Sequence, residues 1–246
     1  MKRILQGLSL LLCALCLFTA CGGPTLRYEN GHYTNPKTGV SYEHAPAYYM
    51  AIAYLPDEKI GDLYKGGDVT AYAIRDVDPA SMICTQNFEV LCAVGTKLPE
   101  LHELKLTAAQ VTKTVNVSAT YATLTDATAL NYLAQSYAGD VFAGSEIDPS
   151  LSREKFEVKF EASNLPGVYY CLTYWRFDGD VLIYEDIDSP DAFEPTYSVD
   201  YTLHTYDNGS YYVAYNFGRE ILYNRTTDEA CAIDQTLVNA LEGKTA

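Results

Sequence analysis

Two dipeptides constrain the fold of this chain more than any other feature of its sequence. Asp178-Gly179 and Asn208-Gly209 favour tight β-hairpins, because type I′ turns need positive φ angles at both central positions. Each dipeptide is flanked by β-branched and aromatic residues, which favour strands. The sequence therefore predicts an antiparallel meander. The expected strand pairs are 170–177 with 180–187, and 200–207 with 210–217.

Other parts of the chain add strand patterns and a few helical ones. Residues 156–160 alternate between apolar and charged side chains, as a strand with one buried face does. A helix is predicted over residues 127–138, with Asp126 at its N-cap, and a short second helix is predicted after Asp234. The expected fold class is α+β and β-dominated, with antiparallel sheets and one or two packing helices.

The N-terminus has the organisation of an export signal. A short basic start precedes an apolar run over residues 8–18, which suits a signal peptide and is too short to span a membrane as a helix. The run ends at Phe18-Thr19-Ala20-Cys21, which resembles the lipobox of bacterial lipoproteins. This resemblance covers the leader only. It implies that residues 1–20 are a signal peptide, that Cys21 carries a lipid, and that the chain is anchored to the cell membrane on its extracytoplasmic side. The alternative is an ordinary secretory signal cut near Cys21.

The remainder divides into a tether and a globular part. Residues 21–39 comprise the lipidated N-terminus and a tether rich in Gly, Pro, Asn and Thr. Residues 40–246 form a β-rich domain that is long enough for a proper hydrophobic core. Two lobes, at about 40–120 and 150–246, are the alternative architecture.

The charge balance excludes some classes of partner. The chain has a formal net charge of −15, and removing residues 1–20 takes two basic residues and no acidic one, which makes it −17. Such a charge disfavours nucleic acid and anionic lipid surfaces. We therefore expect no nucleic-acid partner.

Four cysteines follow the predicted lipidation site, at positions 84, 92, 171 and 231. Outside the cytoplasm an even number of cysteines favours disulfides, with three possible connectivities. Cys84 and Cys92 are close enough to join one hairpin, which leaves Cys171 for Cys231. Buried thiols are the alternative.

Tyrosine is unusually frequent, with 22 residues against eight phenylalanines and one tryptophan. If Asn208-Gly209 closes a two-residue turn, four residues share one sheet face and Tyr201 and Tyr212 lie on the other. The four are His204, Tyr206, Tyr211 and Tyr215. An exposed row of tyrosines can stack on sugar rings or pack against a peptide, so these four are the candidate ligand-binding residues. Alternatively, tyrosine is only a good strand former at half-buried positions.

The densest acidic stretch supplies a candidate metal site. Asp186, Asp188, Asp191 and Glu194 offer the oxygen ligands that Ca²⁺ prefers. Their spacing is not that of an EF-hand, so a solvated acidic loop is the alternative. Ca²⁺ is the one cofactor considered.

No compact catalytic motif occurs in the sequence. There is no His-Glu-x-x-His zinc motif, no Gly-x-Ser-x-Gly elbow and no phosphate-binding loop, so no catalytic residue is predicted. The leading hypothesis is a membrane-anchored, non-enzymatic binding module for a partner protein or glycan. The alternatives are an envelope hydrolase that acts on cell-wall or polysaccharide substrates with a carboxylate pair, and a structural or assembly factor.

Overall fold

A computed structural model describes residues 25–50, 59–64, 68–114, 118–137 and 141–244. Those residues form seventeen β-strands, paired in antiparallel sheets, and two α-helices. The predicted fold class is thereby confirmed. The predicted signal peptide and its lipidation site Cys21 lie outside the described residues.

The chain forms two compact units. Of the described residues, the first comprises those within 25–44 and 59–96, and the second comprises those within 45–50 and 97–244. The second unit therefore begins within the lobe predicted for residues 40–120.

The first unit is a small antiparallel sheet. Its consecutive strands β4 to β7 form a meander, and β2 pairs with the start of β3. Its strands are β1 (Arg27–Glu29), β2 (His32–Thr34), the start of β3 (Ser41–Met50), β4 (Lys59–Tyr64), β5 (Asp68–Ala73), β6 (Met82–Thr85) and β7 (Glu89–Ala93).

A hairpin occupies part of the segment predicted to be a tether. Asn30 and Gly31 have φ angles of 52° and 87°, and Glu29 lies opposite His32, as in a two-residue type I′ turn. Leu26 and Tyr33 beside this turn are buried in the core of the first unit. Residues 26–34 of the segment predicted to be a tether therefore belong to the folded first unit, and residues 21–24 of it lie outside the described residues.

The second unit contains a larger and a smaller sheet. The centre of the larger sheet is β12, which pairs with β11 along one edge and with β16 and the end of β3 along the other. The smaller sheet has the strand order β13-β15-β14. The strands of this unit are β8 (Leu106–Thr114), β9 (Ser118–Leu124), β10 (Val141–Ala143), β11 (Ser152–Ala162), β12 (Val168–Phe177), β13 (Leu182–Ile187), β14 (Asp200–Thr205), β15 (Tyr211–Asn216), β16 (Glu220–Asn224) and β17 (Glu229–Ala232).

Both helices of the second unit begin where the sequence predicts. Helix α1 (Ala127–Tyr137) starts after Asp126, whose carboxylate accepts a hydrogen bond from the backbone N–H of Ala129 at 2.8 Å. Helix α2 (Gln235–Leu241) starts after Asp234, which caps the N–H of Leu237 at 2.9 Å. Among the residues that the structure describes, no helix is long and apolar enough to cross a membrane.

The smaller sheet packs one face on the core of the second unit. Ile183, Val213 and Tyr215 from this sheet are buried together with Trp175 and Phe177 of β12. The alternation of strand side chains leaves the opposite face of the smaller sheet without this cover. That opposite face is the candidate site described below.

The hairpin predicted at Asp178-Gly179 is wrong. Strands β12 and β13, which flank this dipeptide, belong to different sheets. Gly179 does not have the positive φ angle of a type I′ turn, and Val181 instead exchanges backbone hydrogen bonds with the segment at Phe217 and Gly218. The dipeptide carries the chain from one sheet to the other.

The structure also differs from the predicted disulfides, since all four cysteines are buried thiols. In the ladder between β6 and β7, Cys84 faces Val90 and Cys92 faces Met82, so the two cysteines are two residues out of register. Cys171 on β12 and Cys231 on β17 have strand β16 between them. Neither arrangement gives the close Cβ approach that a disulfide requires.

Candidate functional site

The turn between β14 and β15 determines which side chains share a face of the smaller sheet. The N–H of Gly209 donates to the carbonyl of Tyr206 at 2.9 Å, and the N–H of Tyr206 donates to the carbonyl of Ser210 at 2.8 Å. Gly209 has a φ angle of 87°. These features define a three-residue loop, a type I turn followed by a left-handed glycine, rather than the predicted two-residue turn.

The longer loop moves the register by one residue. His204 lies opposite Tyr212, and Thr205 lies opposite Tyr211. The two-residue turn predicted at Asn208-Gly209 would pair residue 206 with 211, so the strand pair is confirmed and its register is wrong. Because side chains alternate with a period of two, a one-residue slip moves every side chain of one strand to the other face.

The four candidate ligand-binding residues are therefore divided between the two faces. Tyr215 is fully buried on the core side, and Tyr211 shares its face of β15. His204 and Tyr206 lie on the opposite side. Tyr212 lies there with them, although the predicted register placed it on the other face. Tyr184 joins this group from β13, because its partner in the ladder is Ala214. We call Tyr184, His204, Tyr206 and Tyr212 the open tyrosine face.

Tyr212 is at the centre of the open tyrosine face. The ring of His204 stacks on it at 4.8 Å with 15° between the planes, and the ring of Tyr206 lies 4.5 Å away. Tyr184 approaches from β13 at 6.0 Å. Tyr184 is 60% exposed and Tyr206 is 43% exposed. The four rings form a continuous aromatic surface on a rigid sheet.

One carboxylate is tied directly to this surface. The hydroxyl of Tyr206 donates to Oδ1 of Asp186 at 3.0 Å. This hydrogen bond, with a smaller effect of the carboxylate charge, raises the pKa of Tyr206 above its ordinary value of 10.0. Tyr206 is therefore a neutral donor at physiological pH, and Asp186 keeps its other oxygen for a ligand.

The sequence around the open tyrosine face is strongly acidic. Residues 177–218 contain no lysine or arginine. They contain nine carboxylates: Asp178, Asp180, Glu185, Asp186, Asp188, Asp191, Glu194, Asp200 and Asp207. Two of these carboxylates form ion pairs with arginines outside this segment. Arg219 lies 2.8 Å from Asp180, and Arg153 lies 3.7 Å from Asp178. The smaller sheet therefore has a negative potential that favours cationic groups.

The four predicted metal ligands do not converge. Among the described residues, no group of three or more His, Cys, Asp or Glu side chains is placed to hold a metal ion. Asp186 lies in β13 and is bonded to Tyr206, whereas Asp188, Asp191 and Glu194 are exposed in the segment after that strand. The described residues therefore give no geometric support to the Ca²⁺ site predicted at Asp186, Asp188, Asp191 and Glu194.

A second cluster of carboxylates surrounds Arg176 in the larger sheet. The guanidinium contacts Glu154 at 2.8 Å and Glu220 at 3.3 Å, and it also pairs with Glu242 at the end of α2. A hydrogen bond from Lys113, together with Arg176, holds the pKa of Glu154 below its ordinary value. A carboxylate held ionised by two cations, as Glu154 is, suits a structural clamp better than a proton donor.

Comparisons with protein-family models, with curated proteins and with solved structures return no match to this chain.

Proposed function

We propose that this chain is a lipid-anchored, extracytoplasmic binding module that acts without catalysis and holds its ligand on the open tyrosine face. The observation that carries the proposal is the cluster of contacting, solvent-exposed rings around Tyr212. Contiguous exposed aromatic surface is uncommon in soluble domains and marks interaction sites.

The physical properties of tyrosine support a binding role. Each ring offers a flat apolar surface and a hydroxyl, and it loses little conformational entropy when it is covered. The rings here are presented by three paired strands, which hold them in place before a ligand arrives. Both a sugar ring and a peptide segment can cover such a surface.

The anchoring part of the proposal depends on the leader. Phe18-Thr19-Ala20-Cys21 resembles a lipobox, and a lipid on Cys21 would hold the chain at the outer side of the membrane. A chain held by two or more acyl chains is stably anchored, so the binding face would act on partners within the cell envelope.

Ligand-induced thermal stabilisation tests the proposal. The mature lipidated chain in detergent is screened against cell-wall fragments, glycans and peptides. A ligand at about a hundredfold excess over its Kd raises stability by about 2.7 kcal/mol. For a chain of this size that corresponds to a shift in Tm of about 5–10 °C.

The decisive comparison uses two tyrosine variants. Tyr212→Ala removes the centre of the open tyrosine face, so we expect it to abolish the ligand-induced shift while the unliganded chain stays folded. Tyr121→Ala is the control, because Tyr121 is an exposed tyrosine on β9, outside the open tyrosine face and outside the smaller sheet. A shift that survives Tyr212→Ala would place the ligand elsewhere.

A further inference from the structure

Strand β14 is an edge of the smaller sheet and is open along its whole length. All six residues of Asp200–Thr205 are exposed, and within the described part of the chain β14 pairs with β15 alone. The opposite edge strand, β13, buries Ile183 in the core. The unsatisfied edge of the smaller sheet is therefore most accessible at β14.

The outward backbone groups of β14 can be assigned from the turn. The N–H of Tyr206 points towards β15, because it donates to Ser210. Backbone groups alternate in direction along an antiparallel strand, so those of His204 and Thr202 also point to β15. The N–H and C=O groups of Tyr201, Leu203 and Thr205 therefore point away from the sheet.

Two apolar side chains on this edge are exposed in a way that a further strand would relieve. Tyr201 and Leu203 lie on the core side of the sheet, yet they are 44% and 43% exposed. The apolar surface of the smaller sheet thus extends beyond the part that the core covers. A further strand beside β14 would cover both side chains.

The usual protections of an edge strand are missing from β14. Proteins block exposed edges with lysine, proline, bulges or very short strands. Residues 200–205 include neither lysine nor proline, and their pairing with β15 has no register shift. What remains is negative charge, because residues 177–218 carry nine carboxylates and no lysine or arginine.

That charge selects the occupant of the edge. Residues 200–205 carry one carboxylate, Asp200, but the whole segment 177–218 carries nine carboxylates and no lysine or arginine, so the close approach of a second copy is disfavoured by charge repulsion. An added strand that carries lysine or arginine meets complementary charge instead. Its side chains on the tyrosine side would stand about 5 Å from those of β14, within reach of the rings of His204, Tyr206 and Tyr212 for cation–π contact.

We propose that β14 accepts an extended, lysine- or arginine-rich segment of a partner protein as a fourth strand of the smaller sheet. This inference rests on the proposed function and names its partner class. The segment gains backbone hydrogen bonds from Tyr201, Leu203 and Thr205, and its basic side chains lie over the open tyrosine face.

The probe is a synthetic peptide of alternating lysine and threonine, long enough to cover the six residues of β14. Binding to the mature chain in detergent is measured by isothermal titration calorimetry. We expect binding that weakens as salt is raised, and no binding of the matched peptide with glutamate in place of lysine. Absence of binding by the lysine peptide overturns the inference. If the lysine peptide does not bind but another ligand still gives a Tyr212-dependent shift in Tm, the proposed function stands and only the strand-addition inference fails.

Two variants separate edge pairing from attraction to the rings alone. Leu203→Pro removes an outward N–H, which an edge strand tolerates, and should weaken peptide binding about tenfold. Leu203→Ala keeps that N–H and loses only the covered side chain, so it should bind more tightly than Leu203→Pro. Equal binding by both variants would show that the peptide does not pair with β14.

N-methylated peptides make the same test without altering the protein. In an added strand, one alternate set of N–H groups faces β14 and the other faces solvent. Methylation of all the lysine nitrogens or all the threonine nitrogens should therefore abolish binding in one case and spare it in the other. Equal effects of the two methylation patterns contradict strand addition. A dimer of the chain that is lost in Leu203→Pro would also contradict the inference, because β14 would then pair with a second copy of the chain.

Discussion

His204 and Tyr212 lie opposite each other in the ladder between β14 and β15, and their rings stack at 4.8 Å with 15° between the planes. Directly opposed residues of an antiparallel pair have Cβ atoms about 5 Å apart, so the backbone register itself produces this contact. Tyr206 adds a second ring against Tyr212. The open tyrosine face is therefore formed before any ligand binds, which lowers the entropy lost on binding.

The hydrogen bond between Tyr206 and Asp186 can be tested by titration. Because this bond is the main cause of the raised pKa of Tyr206, we expect Asp186→Asn to lower that pKa towards 10.0. The measurement is the ¹³Cζ chemical shift of Tyr206 as a function of pH. Asp188→Asn, in the same acidic segment, is the control and should leave the value close to that of the parent. If both variants lower the pKa equally, the general field of the segment is responsible.

Arg176 should be the most costly charged residue to replace in the second unit. Arg176→Met keeps much of the aliphatic length but leaves Glu154, Glu220 and Glu242 without their shared cation. Removing one partner of a poorly solvated ion pair destabilises a protein by about 3 kcal/mol. Urea unfolding followed by the fluorescence of Trp175, the single tryptophan, measures the free energy of unfolding of this region.

Arg219→Met is the matched control for this comparison. Arg219 pairs with Asp180 at 2.8 Å, but both side chains are largely exposed. Exposed ion pairs contribute about 0–1 kcal/mol, so this variant should unfold close to the parent. Similar losses in the two variants would contradict a clamp role for Arg176.

Stability should fall at alkaline pH because of buried thiols. Burial raises the pKa of Cys231 from 9.0 to about 12. A pKa raised in the folded state contributes stability that is complete below the unfolded value and is lost as pH rises through the folded value. Between pH 9 and 12 the unfolded chain releases this proton and the folded chain retains it. Cys231 should therefore remove about 1 kcal/mol of stability per pH unit in that window.

Urea unfolding at pH 8, 9 and 10 measures this slope. Cys231→Ala removes the thiol, so its free energy of unfolding should decline less steeply with pH than that of the parent. An unchanged slope in Cys231→Ala would mean that other groups, such as the buried tyrosines, account for the decline. Tyr169 is one of these, because burial raises its pKa to about 12.

The fold class could be predicted because its signals are local. Asp126 and Asp234 cap their helices with side-chain oxygens two or three residues away, and the alternation in β11 reports one buried face directly. Strand partners are not local in this way. The sequence at Asp178-Gly179 permits a hairpin, but the edges of β12 are occupied by β11, β16 and β3, which lie elsewhere in the chain.

The candidate site was only half predictable, because the same dipeptide forms two different turns. Asn30-Gly31 has positive φ at both residues and closes a two-residue loop. At Asn208-Gly209, the side chain of Asn208 accepts hydrogen bonds from the N–H and hydroxyl of Ser210, which stabilises the longer loop. The serine after the dipeptide was the available signal. A two-residue turn would place Tyr212 on the face opposite His204 and Tyr206, whereas the three-residue loop places all three on one face.

The proposed lipid anchor can be tested at Cys21, which lies outside the described part of the chain. Cys21→Ala removes the thiol that a lipobox-like sequence presents, so the chain should keep its signal peptide and carry no lipid. Phase partitioning in a non-ionic detergent measures the result, with the parent expected in the detergent phase. Cys16→Ala is the control, because Cys16 follows a leucine inside the apolar run and should be dispensable. If the parent stays in the aqueous phase and Cys21→Ala is processed like the parent, then Cys21 is not lipidated and the leader is an ordinary secretory signal.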